Sequence, residues 1–353
     1  MTTQEKKQEL YEMLQKAFEL EFTTIPPYLL AALSLHPNSN RESFSIIHSV
    51  YMEEMLHMIL AGNTLNAIGG KVALNKDTIP KFPLTIDFKG QKFKNREFEV
   101  SLERFSKKSI NTFMQIELPD YWPETKLLKT KKVEIPGYTI GEFYNSIKTK
   151  LTNLCNEIGE KEVFTGNPEN QISVDFYWGA GGKPVIVTNL NEALEALDII
   201  IDQGEGASMQ NINDGDHQFF GEKNEVAHYF RFNEIYVGKK YKPNDNPLEP
   251  PTGEDFLVDF SKVFPIKANC KSEDFIETPK LEELNTEFNT HYTLMAQKME
   301  KAFNGFPKEL YSAIMNDMHQ MAKITLEMAQ IPIANNPDNE TGAPTFEWIE
   351  LSI

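Results

Sequence analysis

Two Glu-x-x-His pairs stand in this chain of 353 residues: Glu54 with His57 in EEMLHMILAG, and Glu225 with His228 in EVAHYFRFNEI. On a helix, residues three apart share one side, one turn apart. A carboxylate and an imidazole at that spacing can therefore serve one cation or a close pair of cations. Each pair is preceded by a single glutamate on an apolar stripe. Glu21 shares its stripe with Leu10, Leu14, Phe18, Ile25 and Tyr28, and Glu205 continues Leu194, Leu197 and Ile201. Glu54 and His57 fall between Val50, Tyr51 and Ala61, while Glu225 and His228 run on into Phe232 and Ile235. Glu53 reads as rotated away from this line, and Glu19 as a solvated carboxylate on the far side of its helix. A lone buried carboxylate costs several kcal/mol and usually takes up a proton instead. These stripes carry no matching Lys or Arg, so two divalent metals are the natural counter-charge.

Carboxylate and imidazole donors together suit iron or manganese. The order along the chain is Glu, Glu-x-x-His, Glu, Glu-x-x-His, the donor set of dinuclear carboxylate helix bundles. Any one Glu-x-x-His pair arises readily by chance, and the whole ordered set carries the reading. The predicted ligands are Glu21, Glu54, His57, Glu205, Glu225 and His228, holding two iron ions, with manganese as the alternative. Tyr28, on the Glu21 stripe, and His217, in the loop sequence NDGDHQ, are the candidates for groups acting in the chemistry. An ordinary loop histidine is the competing reading of His217. His36, His48, His291 and His319 have no carboxylate at metal spacing on a convincing stripe.

The elements that must position these groups follow from periodicity. Residues 3–35 and 41–68 read as two helices, the second stopped by Gly69 and Gly70. Together, 1–70 form the first metal-binding helix pair. Residues 71–188 are a mixed insert with β-like runs at FPLTIDF, REFEV and PVIVT and one helix around 140–159. Residues 189–240 form the second metal-binding pair, opened by a capping signal from Asn189 to Glu192. A Pro-rich connector and two further helices, 274–303 and 307–330, complete 241–353. The fold class is mainly α: one four-helix bundle over 1–353, with a long insert between helix pairs and additional C-terminal helices.

Pro26 and Pro27 cannot donate to the carbonyls of Phe22 and Thr23. Either the first helix bends beside Glu21 and shapes a pocket there, or IPPY starts a separate helix. GAGGK, residues 179–183, lacks the spacing of a phosphate-binding loop and reads as a glycine-rich turn. The formal net charge of −17 disfavours nucleic acid as a partner. No apolar run approaches the ~20 residues of a membrane span. With a polar start and two cysteines, Cys155 and Cys270, a reduced cytoplasmic protein is expected. The oligomeric state is left open, a homodimer being one arrangement.

ELEFTTIPPYL, EEMLHMILAGNTLNAIGG, DQGEGA and EVAHYFRFNEI resemble the ferritin-like domain of the iminophenyl-pyruvate dimer synthase family. That family includes the ferritin-like part of the violacein-pathway imine-coupling enzyme. The step from Glu21 to Tyr28 and the EExxH motif also resemble ferritins and bacterioferritins, and the closing TGAPTFEW is similar to family members. The likeness spans most of the chain and is strongest over 15–70 and 195–236. It implies a ferritin-like bundle with the six ligands named above. It also implies a dinuclear oxidase or oxygenase using dioxygen or peroxide on a small amine, imine or amino-acid derivative in a secondary-metabolite pathway. The coupling enzyme is much longer than this chain, so the fold carries over better than the substrate. The alternatives are an iron-oxidising, iron-storing or peroxide-scavenging protein, and a metal-free binding or scaffold protein.

Overall fold

A computed structural model describes residues 1–89, 96–120, 134–136, 139–177, 181–206, 211–214 and 225–351. His217 lies outside the described residues.

Helix α1 (Thr3–Leu33) opens with a reciprocal cap. Thr2 Oγ1 accepts from Glu5 N at 3.2 Å, and Glu5 Oε2 accepts from Thr2 N at 2.6 Å. The helix runs through Pro26 and Pro27 without a break, so IPPY does not start a new one. After a short connection, α2 (Arg41–Ala67) packs along α1. From Leu56 to Ala67, α2 is buried at every residue, which makes it the central rod of the molecule.

The insert holds a small sheet and two substantial helices. Strands β1 (Leu84–Lys89) and β2 (Arg96–Val100) pair antiparallel, and β3 (Glu134–Pro136) adds to β1 in parallel. These bounds agree with FPLTIDF and REFEV. PVIVT forms no strand, because its backbone is bound by side chains. Asn63 Nδ2 donates to Val185 O at 2.9 Å, and Gln171 closes a two-bond ring with Val187 at 2.7 Å each.

Helix α3 (Lys107–Ile116) was not anticipated from the sequence. Ser106 caps it by accepting from Ser109 N, and Ile110, Phe113 and Ile116 form its buried stripe. Helix α4 (Ile140–Ile158) is followed by a single turn, α5 (Glu160–Val163). Helix α6 (Leu190–Glu205) packs on α4 and α2. Asn189 caps it, but the Glu192 carboxylate binds Thr188 N at 2.7 Å, one residue before the reciprocal site expected. Helix α7 (His228–Val237) is shorter than expected, and its main partner is α3 rather than α6. The second helix pair therefore takes one member from inside the 71–188 insert.

Three rings join these pairs. Tyr28 of α1, Phe113 of α3 and Phe232 of α7 pack mutually, with centroids 4.5, 5.1 and 5.3 Å apart. Toward the C-terminus, α8 (Pro279–Phe303) packs against a rod made of α9 (Glu309–Ser312), a π-helical turn (Ala313–Met318) and α10 (His319–Met328). Among the described residues no helix is long and apolar enough to cross a membrane.

Candidate metal centre

Glu21 of α1, Glu54 and His57 of α2, Glu117 at the C-cap of α3, and His228 at the start of α7 converge inside the bundle. None is more than 3% exposed. His57 Nδ1 lies 3.4 Å from Glu21 Oε2 and 3.5 Å from Glu54 Oε1. His228 Nδ1 lies 2.9 Å from Glu54 Oε1 and 3.6 Å from Glu117 Oε2. The two imidazoles stack at 5.3 Å with Glu54 shared between them. Donor atoms of Glu54, His57 and His228 all lie within 4.8 Å of one another.

Each carboxylate has one oxygen engaged by a hydroxyl and the other turned to the centre. Tyr144 of α4 donates to Glu21 Oε1, Thr24 reaches Glu54 Oε2, and Tyr28 donates to Glu117 Oε1, all at 2.5 Å. The free oxygens are Glu21 Oε2, Glu54 Oε1 and Glu117 Oε2. Tyr28 is fully buried, so its hydroxyl holds a carboxylate and meets no solvent.

The far nitrogen of each imidazole is also fixed. Gln203 Nε2 donates to Gly181 O at 2.7 Å, so its amide oxygen must be the atom 2.8 Å from His57 Nε2. His228 Nε2 lies 2.9 Å from Glu53 Oε2. Both acceptors call for an N–H on Nε2, which leaves the lone pairs on Nδ1. Those lone pairs face carboxylate oxygens. His228 Nδ1 is enclosed and makes no aligned hydrogen bond, although Glu54 Oε1 is 2.9 Å away. Two lone pairs at that distance call for a proton or a metal ion between them. The residues therefore fit a metal: three oxygens and two nitrogens, all preset, with nothing but positive charge missing.

The ionisation of the side chains alone tells the same story. Burial pushes Glu21 up to about 7 and, together with the Glu54 charge, raises Glu117. Burial would also raise Glu54, but the adjacent imidazoles of His228 and His57 hold it far below the usual carboxylate range. Burial would lower His57, yet Glu21 and Glu54 push it up to about 10, and His228 is likewise held well above its ordinary value. Without metal, protons supply the missing charge. Burial and the neighbouring carboxylates raise Tyr28 and Tyr144 well above a free phenol, so both remain donors.

The structure brings Glu21, Glu54, His57 and His228 together but sends the other two expected ligands elsewhere. Glu205 ends α6 and turns to the start of α4, accepting from Gly141 N at 2.7 Å and Asp120 N at 2.9 Å. It satisfies N–H groups that a helix start leaves open. A side chain at Gly141 would collide with it. Glu225 fails for a different reason. Helix α7 begins only at His228, so the helical geometry that would place Glu225 beside it does not exist. Glu225 instead lies 3.5 Å from Arg231 Nη2. Arg231, absent from the stripe analysis, is buried, donates to Glu53 Oε1 at 2.8 Å and also pairs with Asp214. Donor oxygens of Glu53, Asp214 and Glu225 cluster too, but this guanidinium sits among them.

Besides Arg231, four groups at the cluster differ from or lie outside the sequence expectations. Glu53 is not turned to solvent; it is 1% exposed and backs His228. Burial would raise its pKa, but Arg231 and His228 hold it low. Glu117, Tyr144 and Gln203 were unremarked. The signal for Glu117 was present: Ser106 as a cap, then Ile110 and Phe113, places Glu117 on the same buried stripe.

A family model described as ferritin-like matches residues 14–237. The chain is 22% identical over 325 residues to dichlorochromopyrrolate synthase of Lentzea aerocolonigenes, covering 85% of this chain and 29% of that enzyme. It therefore spans under a third of that relative's length. In fold it is similar to the crystal structure of a ferritin-like protein from Caulobacter vibrioides. The TM-score is 0.57 and the identity 19%, with 89% of this chain and 95% of that one covered. The matched span runs from the first turns of α1 to the end of α7 and contains every residue of the cluster, and the chain belongs to the ferritin-like family.

Proposed function

We propose that the chain is a dinuclear metal-dependent oxidase acting on a small organic molecule. Amines, imines and amino-acid derivatives are the favoured substrate class. The observation that carries this is the pair of imidazoles with Nε2–H engaged and Nδ1 lone pairs aimed at the free oxygens of Glu21, Glu54 and Glu117. In this reading Glu21, Glu54 and His57 would hold one metal and Glu117 and His228, again with Glu54, the other. Bound as iron(II), such a pair would supply the electrons that reduction of dioxygen or peroxide requires. The chain's own residues do the rest. Tyr144, Thr24 and Tyr28 fix the rotation of the three carboxylates. Gln203 and Glu53 keep a proton on each Nε2. Burial of all five donors excludes bulk water, which strengthens every electrostatic contact inside. The substrate class rests on the likeness to dichlorochromopyrrolate synthase and to the iminophenyl-pyruvate dimer synthase family, an argument from relatives rather than from geometry.

The test is anaerobic reconstitution with iron(II), then exposure to dioxygen or peroxide with and without a panel of aromatic amines and amino-acid imines. An oxidised organic product formed over many turnovers, and lost in Glu54→Ala, is expected. Ferric mineral as the sole product would favour iron storage. Fewer than one metal per chain after reconstitution would overturn the metal reading.

A further inference from the structure

The two halves of the site differ in what stands behind each imidazole. His57 Nε2–H meets the neutral amide of Gln203, itself tied to the carbonyl of Gly181. His228 Nε2–H meets the carboxylate of Glu53. Arg231 anchors that carboxylate on its other oxygen and is shared with Asp214 and Glu225. Among the described residues, a carboxylate held by a guanidinium therefore backs His228, whereas an amide held by a backbone carbonyl backs His57. A carboxylate acceptor makes an imidazole a stronger donor than an amide does.

We infer that the two metal positions are unequal, that the His228 position fills first and holds its ion more tightly, and that Glu53 and Gln203 are the positioning residues that set this order. The inference rests on the metal reading above. Outer partners of a metal-bound imidazole are worth about 10–100-fold in affinity. If filling one position left the other unchanged, occupancy at a single equivalent of metal would divide as the square root of that ratio, and competition for the shared Glu54 only widens the difference. The His228 position should then be about three- to tenfold fuller.

The direct test needs no mutation. Crystals of the whole chain prepared with one equivalent of cobalt(II) are read by anomalous difference density. Density concentrated beside His228 Nδ1 is the expected result. Equal density at both positions, or more beside His57, overturns the inference while leaving the metal reading standing. No density at either overturns the metal reading itself. Cobalt(II) titration followed by visible absorption gives the second measurement. Wild type should show two steps, with His57→Ala losing the weaker and His228→Ala the tighter. Gln203→Ala should weaken only the second step, an effect on one step that a general loss of fold would not give. Weakening of the first step alone by Gln203→Ala refutes the assignment.

Discussion

Replacing Glu117 with glutamine separates metal binding from stability. In the variant the amide oxygen can still accept from Tyr28, so no buried hydroxyl is orphaned. The loss is one negative charge of the three that face the Nδ1 atoms of the imidazoles. Outer partners of a ligand are worth about 10–100-fold in affinity, so a carboxylate facing the ion itself should count for at least about 100-fold, or about 2.8 kcal/mol. In metal-free protein the sign reverses. Burial and Glu54 push Glu117 above the usual carboxylate range, so its charged form is the costly one. Glu117→Gln should therefore melt no lower than wild type in the presence of a chelator, and lower than wild type when metal is supplied. Titration calorimetry with cobalt(II) and scanning calorimetry with and without chelator measure both. Glu225→Gln is the control. Its partly exposed pair with Arg231 is worth about 0–1 kcal/mol, so metal affinity should change by less than about fivefold. If Glu225→Gln abolishes a binding step and Glu117→Gln does not, the assignment of Glu117 is refuted.

Metal should displace protons: with His57 pushed up to about 10 and His228 also raised, both imidazoles are protonated near neutral pH in the metal-free chain, so affinity should rise with pH toward about 10. Calorimetry in buffers of different ionisation enthalpy should report proton release, and heats that do not depend on buffer would contradict this. Glu205 gives a stability prediction. Burial pushes it up to about 8, so its neutral form favours the fold; that contribution is complete below the ordinary carboxylate range and is lost as pH rises through about 8. Urea midpoints should fall across that window in wild type and fall less in Glu205→Gln; parallel profiles would count against it. A methyl group at Gly181, where φ is +82° and the Glu53 side chain lies against the α-carbon, should destabilise by about 1–3 kcal/mol in Gly181→Ala. An unchanged denaturation midpoint would show that the loop yields freely.

The first helix pair was legible because its signals are local. Glu21, Glu54 and His57 sit on helices of 31 and 27 residues, long enough for a period to show. The second pair was not. Helix α3 has only 10 residues, and its clustered carboxylate, Glu117, lies at the C-cap, where a glutamate reads as a helix end. Glu225 and His228 have the right spacing in sequence but straddle a helix start, and spacing becomes geometry only inside a helix. Glu205 was rightly placed on a buried position, yet a buried carboxylate can serve backbone N–H groups as well as a metal. Glu53 was misjudged because stripe reasoning assumes one wet face.

That last point reaches beyond the Glu–His cluster. Between Leu56 and Ala67, α2 has no face left for solvent, since α1, α6, α7 and α8 all press on it. A rod enclosed on all sides has no neutral positions along which a lineage can drift one residue at a time. Relatives of this protein should therefore vary here only in step with matching changes in the surrounding helices, so this segment, more than the insert, sets the pace at which the family's sequences can diverge.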